Sequence, residues 1–248
     1  MTREPFIERT FCIEGVDLAY PTHFRDGQSV VGLYAVHSKP AQALIADSGF
    51  EVAELWPGNT LLNLVCVHYT DTQCGAYEEI AFAFSVKPPH RALQVPYLST
   101  WWSMLRGTIA TFTWCLPVSS VLSQQCGIQM WGFPKTVEHL SHTNEQGLAS
   151  FEWKRQGKRV LKVSIPSIGD REGGEISPGV YSVIDGQAMV SYLTQSYRGV
   201  GYHRNDYRLQ LGEDQMSDTL RSLGLPKKPL LASWNGHLKF SMSAPVEL

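Results

Sequence analysis

The sequence predicts a sheet-rich α+β fold, a closed barrel or a packed sandwich, in one domain spanning residues 1–248. Three observations predict it. Runs of strand-forming residues recur along most of the chain, helical segments are few and short, and no linker is long enough to force a second domain.

Taken in order, Val30 to His37 (VVGLYAVH) is the first strand, rich in β-branched and aromatic residues. Pro40 opens a short helix that Gly49 closes, the usual asymmetry of proline at the first turn and glycine after the last. Leu61 to Tyr69 and Glu79 to Val86 are strands. Ser119 or Ser120 caps a second helix, which is expected to end at Gly127. Ala149 to Arg155 and Arg159 to Ile165 pair as a hairpin across Gln156-Gly157-Lys158. Gly169 to Glu175 reads as a flexible loop, either covering a site or simply exposed. Further strands run from Val180 to Ile184, Ala188 to Leu193, Asp206 to Leu211 and His237 to Met242. A third helix from about Ser217 to Leu223 is stopped by Gly224 and Pro226.

Composition excludes several classes of function. Of 248 residues, 43% are hydrophobic and 18% charged, ample for a globular core. The net charge is −2 and the basic residues are scattered, so neither nucleic acid nor an anionic membrane is an expected partner. No apolar run reaches the length of a membrane helix, and the charged start MTREPFIERTF shows no signal peptide. The five cysteines (Cys12, Cys66, Cys74, Cys115, Cys126) are odd in number and lack CxxC spacing, which predicts a reducing cytoplasm with no disulfide framework or zinc site. The eight histidines show no metal spacing, and no metal is expected. From the residues alone Trp101-Trp102 and Trp114 read as core, and Gly173-Gly174 lacks the strand-to-helix context of a phosphate loop.

The chemistry concentrates in CGIQMWGFPKTV, Cys126 to Val137. Lys135 follows Pro134 at the end of a run containing Trp131 and Phe133 and almost no charge. A lysine amine is a nucleophile only when neutral, and an apolar surrounding disfavours the ammonium. A neutral amine attacks a ketone to form a Schiff base, whose protonated imine drains electrons from an adjacent carbon–carbon bond. Taken alone, the same string also fits a plain strand-to-turn exit with a surface lysine. Glu79 is similarly open. In the strand EIAFAFSV it shares a face with Ala81, Ala83 and Ser85, opposite Ile80, Phe82 and Phe84. A carboxylate among small side chains suits a cavity wall, and equally a strand that ends in water at Glu78-Glu79.

The string GIQMWGFPK, preceded by CLPVSSVLSQQC, resembles the active-site segment of the acetoacetate decarboxylase-like superfamily: a strand ending in Leu-Pro-Val, a short helix, a glycine, then aromatic-Gly-aromatic-Pro-Lys. CGAYEEIAFAFSV, Cys74 to Val86, resembles the family's Gly-x-Tyr-x-Glu segment. The resemblance is detailed over about residues 60 to 140. It implies a closed or cone-like antiparallel β-barrel with a few short helices. It further implies a cofactor-independent lyase in which Lys135 forms the Schiff base and Glu79 moves protons or orients substrate. Gln129, Trp131, Phe133, Trp114 and, by a loose alignment, Arg25 would contact the substrate, a small keto acid or ketone. Decarboxylation of a β-keto acid is the first expectation. Aldol condensation or dehydration through the same imine, or a barrel that binds without catalysis, are the alternatives. A homo-oligomer is implied by the family alone.

The sequence also departs from the family pattern. Thr136 stands where true decarboxylases have a second lysine, Ile128-Gln129 where they tend to have Arg-Glu, and Asn63-Leu64 near the place of a further acid. These changes remove much of what would hold a β-keto carboxylate.

Overall fold

The computed structural model describes residues 10–87, 97–105 and 109–248; the charged N-terminal segment discussed above lies largely outside them. A short hairpin comes first, β1 (Thr10–Ile13) and β2 (Val16–Ala19). The long strand β3 (Thr22–His37), helix α1 (Ser38–Leu44), β4 (Glu54–Trp56), β5 (Asn59–Thr72) and β6 (Tyr77–Ser85) follow. Next come α2 (Leu98–Leu105), β7 (Thr111–Val118), α3 (Val121–Trp131) and β8 (Lys135–Val137). Then β9 (His139–Glu145), β10 (Leu148–Arg155) and β11 (Lys158–Pro166) form a meander. The chain continues through β12 (Gly179–Ile184), β13 (Gln187–Tyr202) and β14 (Arg208–Leu211), and finishes with α4 (Gln215–Ser222), β15 (Leu231–Met242) and β16 (Val246–Glu247).

The large sheet runs β12-β13-β15-β3-β5-β6-β7-β8, and β12 also pairs with β7. That last pairing, Val180 with Thr111 and Tyr181 with Phe112, joins the sheet to itself, so the strands from β12 round to β7 enclose an interior. The predicted closed or cone-like barrel is thus present, with one change: β12–β7 and β7–β8 are parallel, so the sheet is mixed and not purely antiparallel. A second sheet, β14-β11-β10-β9, packs outside.

Side-chain alternation divides the two faces of the barrel wall. On β5, Leu62, Leu64 and Cys66 point outward into a core shared with Phe151, Trp153 and Leu161 of the outer sheet. On β6, Ile80, Phe82 and Phe84 do the same. Several of these are fully buried, and each such Leu or Phe contributes about 1.5–3 kcal/mol relative to exposure. The other face of the same strands looks into the barrel. Two irregularities shift this phase. The register of β3 against β5 slips around Asp26, which puts Phe24 on the same inner face as Ser29 and Val31. The register of β7 against β6 slips between the Cys115 and Thr113 pairings, which keeps Thr111, Thr113 and Leu116 inside and turns Trp114 out.

Several local expectations meet the structure directly. Gln156 and Gly157 both have positive φ (49° and 77°), forming the tight turn between β10 and β11. Ser120 caps α3, its hydroxyl accepting from the N–H of Ser123. The helix does not end at Gly127; it continues to Trp131, where Gly132 supplies the left-handed residue (φ 66°). Trp101 and Trp102 are exposed on α2, not core. The loop from Gly169 is tied to β13 by bridges from Arg171 to Val200 and from Ile176 to Gln195, so its far end is strapped over the barrel.

Candidate active site

The barrel interior holds a cavity of about 340 Å³ to which β3, β5, β6, β7, β12, β13 and β15 all contribute. Lys135 and Glu79 meet at its wall. Lys135 opens β8, which lies parallel to the end of β7 with Leu116 opposite Lys135. The left-handed Gly132 reverses the chain out of α3, and Pro134 fixes the backbone just before the lysine. The side chain therefore runs back along α3, and its Nζ donates to Ser123 Oγ at 2.9 Å.

Gly127 makes that path possible. A Cβ at residue 127 would come within 2.4 Å of Lys135 Cδ and 2.6 Å of Cε. The glycine that looks like a helix stop in the sequence is mid-helix, and its missing side chain is the groove in which the lysine lies.

Glu79 lies near the start of β6 and points inward. Its Oε2 is 2.8 Å from Lys135 Nζ, and both residues are nearly buried, at 9% and 8% exposure. Tyr69 donates to Glu79 Oε1 at 3.2 Å. Burial and the Glu79 charge push the Tyr69 hydroxyl well above its ordinary range, so it remains a donor. The Tyr77 ring lies 5.3 Å from the amine and shares the inner face with Glu79 two residues on. Glu78, by alternation, faces the other way, accepting from Ser119 at 2.6 Å and meeting His68 at 3.1 Å. The two adjacent glutamates are thus split between the barrel interior and the interface beneath the outer sheet. The reading in which both simply end a strand in water does not hold.

Trp131 and Phe133 line the cavity, their rings stacked 6.2 Å apart. Three residues carried over from the family resemblance lie elsewhere. Gln129 is on the exposed face of α3, hydrogen-bonded to Gln125, because helical geometry turns it away from Gly127 and Met130. Trp114 sits on the outer side of the β7 irregularity, against Phe82 and Phe84 at 6.2 and 5.9 Å. Arg25 is paired with Asp71 at 2.7 Å on the surface, with a side chain 54% exposed, because the β3 slip that brings Phe24 in puts Arg25 out. Thr136 is exposed on β8 while Lys135 is buried. Adjacent strand residues face opposite ways, so a cation at position 136 would not share the cavity.

Ser123, Tyr69 and Gly127 are components that sequence reasoning did not assign to the site. Only the spacing of Ser123, four residues ahead of Gly127 on one helix face, could have pointed to it. Among the described residues no group of three or more His, Cys, Asp or Glu side chains is placed to hold a metal ion. The five cysteines are free thiols. Among the described residues no helix is long and apolar enough to cross a membrane.

Comparison with known proteins agrees with this geometry at the level of fold and family. The chain is similar over its whole length to the crystal structure of acetoacetate decarboxylase from Legionella pneumophila, at 14% identity and a TM-score of 0.70, covering 92% of that chain. It is similar to the enduracididine biosynthesis enzyme MppR in complex with pyruvate, at 14% identity and 0.62, over 92% of this chain and 90% of that one. An acetoacetate decarboxylase-like enzyme from Sphingomonas wittichii RW1 matches at 11% and 0.56, over 91% and 93%. No curated protein sequence matches. The family described as acetoacetate decarboxylase matches residues 15–237, nearly the entire barrel, and the chain belongs to that family.

Proposed function

We propose that this protein is a cofactor-independent, Schiff-base-forming enzyme that makes or breaks a carbon–carbon bond next to a ketone carbonyl. One observation carries the reading: a buried amine and a buried carboxylate, 2.8 Å apart, at the wall of the barrel cavity. A buried ion pair is a poor way to gain stability, because desolvating both charges offsets their attraction. Its place on the cavity gives it a chemical use instead.

Glu79 is the nearest acceptor for a proton of the Lys135 ammonium. Once that proton has moved, the nitrogen lone pair attacks the substrate carbonyl carbon and the C=O π electrons pass to oxygen. The transferred proton and a second one from nitrogen leave with that oxygen as water, and a protonated imine remains on Lys135. The nitrogen then draws in the electron pair of the bond one carbon away, giving an enamine. Glu79 handles the proton that the enamine carbon gains or that the leaving fragment surrenders, and water releases product and amine. Ser123 and the Tyr77 ring hold the amine in place, and Tyr69 orients the carboxylate. Decarboxylation and aldol chemistry share every one of these steps and differ in the fragment expelled. The pyruvate-bound form of MppR supports a carbonyl substrate for this cavity.

Reductive trapping tests the proposal. With a panel of ketones from acetone and pyruvate to seven-carbon compounds, borohydride is expected to add one reduced adduct, mapped by peptide mass to Lys135. Lys135→Ala removes it. Glu79→Gln still accumulates a trappable imine, more slowly, and stalls the later carbon–carbon step. Labelling of Lys135 no faster than surface lysines across the panel would leave a binding barrel as the reading.

A further inference from the structure

We infer that the substrate of this site is a neutral, mainly apolar ketone or aldehyde with a hydrocarbon body of about six or more carbons, and not a small keto acid. The inference rests on the imine-forming reading above and specifies what the imine is made from.

Charge is the first argument. Among the described residues lining the cavity, Lys135 and Glu79 carry the only charged side chains, and they are paired with each other. A substrate carboxylate would enter next to Glu79 with no second cation to balance it. An unpaired buried carboxylate is strongly disfavoured, and a like charge nearby adds to the cost. The arginine expected to bind such a group, Arg25, is outside and already neutralised by Asp71. Position 136 is outside as well. The departures from the family motif and the geometry thus point the same way.

Shape is the second argument. From Glu79 the inner face of β6 continues through Ala81 to Ala83, about 13 Å of strand with only methyl groups projecting. Val65 of β5 pairs with Ala81 and Val31 of β3 pairs with Val65, which carries the apolar surface round the wall, and Leu193 and Phe240 line the cavity from β13 and β15. Asn63 and Thr113 pair with Ala83 on either side, Thr111 and Ile109 continue the lining beyond them, and all four are neutral. A volume of about 340 Å³ falls within the roughly 300–1,000 Å³ typical of sites for drug-sized ligands. A three- or four-carbon acid would leave most of the cavity filled with water against hydrocarbon. A carbonyl at Lys135 with an alkyl or aryl body lying over Ala81 and Ala83 fills it.

A substrate with no carboxylate has no carbon dioxide to lose. The chemistry then available is cleavage of a β-hydroxy ketone or its reverse. In the cleavage direction the hydroxyl proton passes to Glu79 and the C–C bond pair moves into the iminium, leaving an enamine. An aldehyde departs, and Glu79 returns the proton to the enamine carbon. No oxidant, reductant or cofactor enters the balance.

The test uses matched probes in cyanoborohydride trapping, read as the concentration giving half-maximal labelling of Lys135 by intact mass and peptide map. Heptan-2-one is compared with 6-oxoheptanoate for charge, and with acetone for length. Heptan-2-one is expected to label at a concentration at least tenfold lower than either. Ala83→Lys, which places a cation on the cavity wall beyond Ala81, is expected to narrow or reverse the preference over 6-oxoheptanoate. If the carboxylate labels as well as or better than heptan-2-one in the unaltered protein, the inference is overturned while the imine reading stands. If Lys135 is labelled by no probe, the imine reading fails and this inference fails with it.

Discussion

At the scale of single residues, the lysine is defined less by its neighbours in sequence than by an absence eight positions earlier. Gly127 has no side chain, and the Lys135 methylenes occupy the space. Gly127→Ala puts a methyl group into that path. Alanine favours a helix over glycine by about 1 kcal/mol, and the clash is with a flexible side chain and not with backbone, so the fold should survive. The amine, however, must leave Ser123 and Glu79. The expected outcome is a fall of at least tenfold in the Lys135 trapping rate with a melting temperature within a few degrees of the parent. Normal trapping would mean the amine reaches the carbonyl from another rotamer. Thr136 supplies the converse case. Because it is exposed where Lys135 is buried, Thr136→Lys is expected to leave the pH dependence of trapping unchanged and the rate within about twofold. A shift of the midpoint toward acid would show that residue 136 does act on the site, as the family pattern alone suggests. The buried pair itself gives a third expectation. Glu79→Gln leaves the Lys135 cation without its partner, a change that typically costs about 3–5 kcal/mol. Adding Lys135→Met should recover most of that loss in urea unfolding.

At the scale of elements, what decides who faces the cavity is strand phase. On β6 the alternation is unbroken, and the two faces were legible in the sequence, Ile80, Phe82 and Phe84 on one and Glu79, Ala81 and Ala83 on the other, although the residues alone left open whether the second face met a cavity or water. On β3 and β7 a register slip inserts a residue that no composition signal marks. Trp114 follows from this. By simple alternation with Leu116 it would share the inner face, yet the slip sends it out against Phe82 and Phe84. Trp114→Ala should therefore destabilise the protein, by less than the about 3–5 kcal/mol of a fully buried tryptophan because the residue is half-buried. Half-maximal trapping at Lys135 should stay put in the folded fraction; a tenfold change in that concentration would return Trp114 to the substrate. The same reasoning explains what else was hidden. The helix α3 was legible from Ser120, but its true end was not, since Gly127 and Gly132 are equivalent in sequence. Only the three-dimensional return of the chain at Gly132 shows that one glycine caps and the other makes room. Arg25 was assigned through a loosely aligned segment, and that segment contains the β3 slip.

At the scale of the whole molecule, the barrel is closed on the inside by its own strands and clad on the outside by the four-stranded sheet, and the two layers meet at a titratable contact. His142, on β9, stacks on His68 of β5 with ring centroids 4.6 Å apart and packs at a tilt against Phe151 of β10 at 4.5 Å. His68 in turn hydrogen-bonds Glu78. Burial, with the neighbouring His68, pulls the His142 imidazole down from 6.5 to about 4, although Glu78 opposes this. The sign of the consequence follows from proton counting. Between pH 6.5 and about 4 the unfolded chain holds a proton on His142 that the folded chain refuses, so the unfolded state binds more protons and stability falls as the pH falls. Above pH 6.5 both states are neutral at this residue and it contributes no slope. The outer sheet, and with it the wall that carries Glu79, is therefore held by a contact that weakens on acidification well before the carboxylates as a class are protonated. His142→Phe keeps an aromatic ring between His68 and Phe151 and removes the titration. Melting temperatures measured from pH 4 to 8 should drop less steeply for this variant than for the parent between 6.5 and 4, and the two curves should run parallel above 6.5. Parallel curves over the full range would mean that His142 takes up its proton in the folded protein without cost, and that the two layers are not separated by acid at this point.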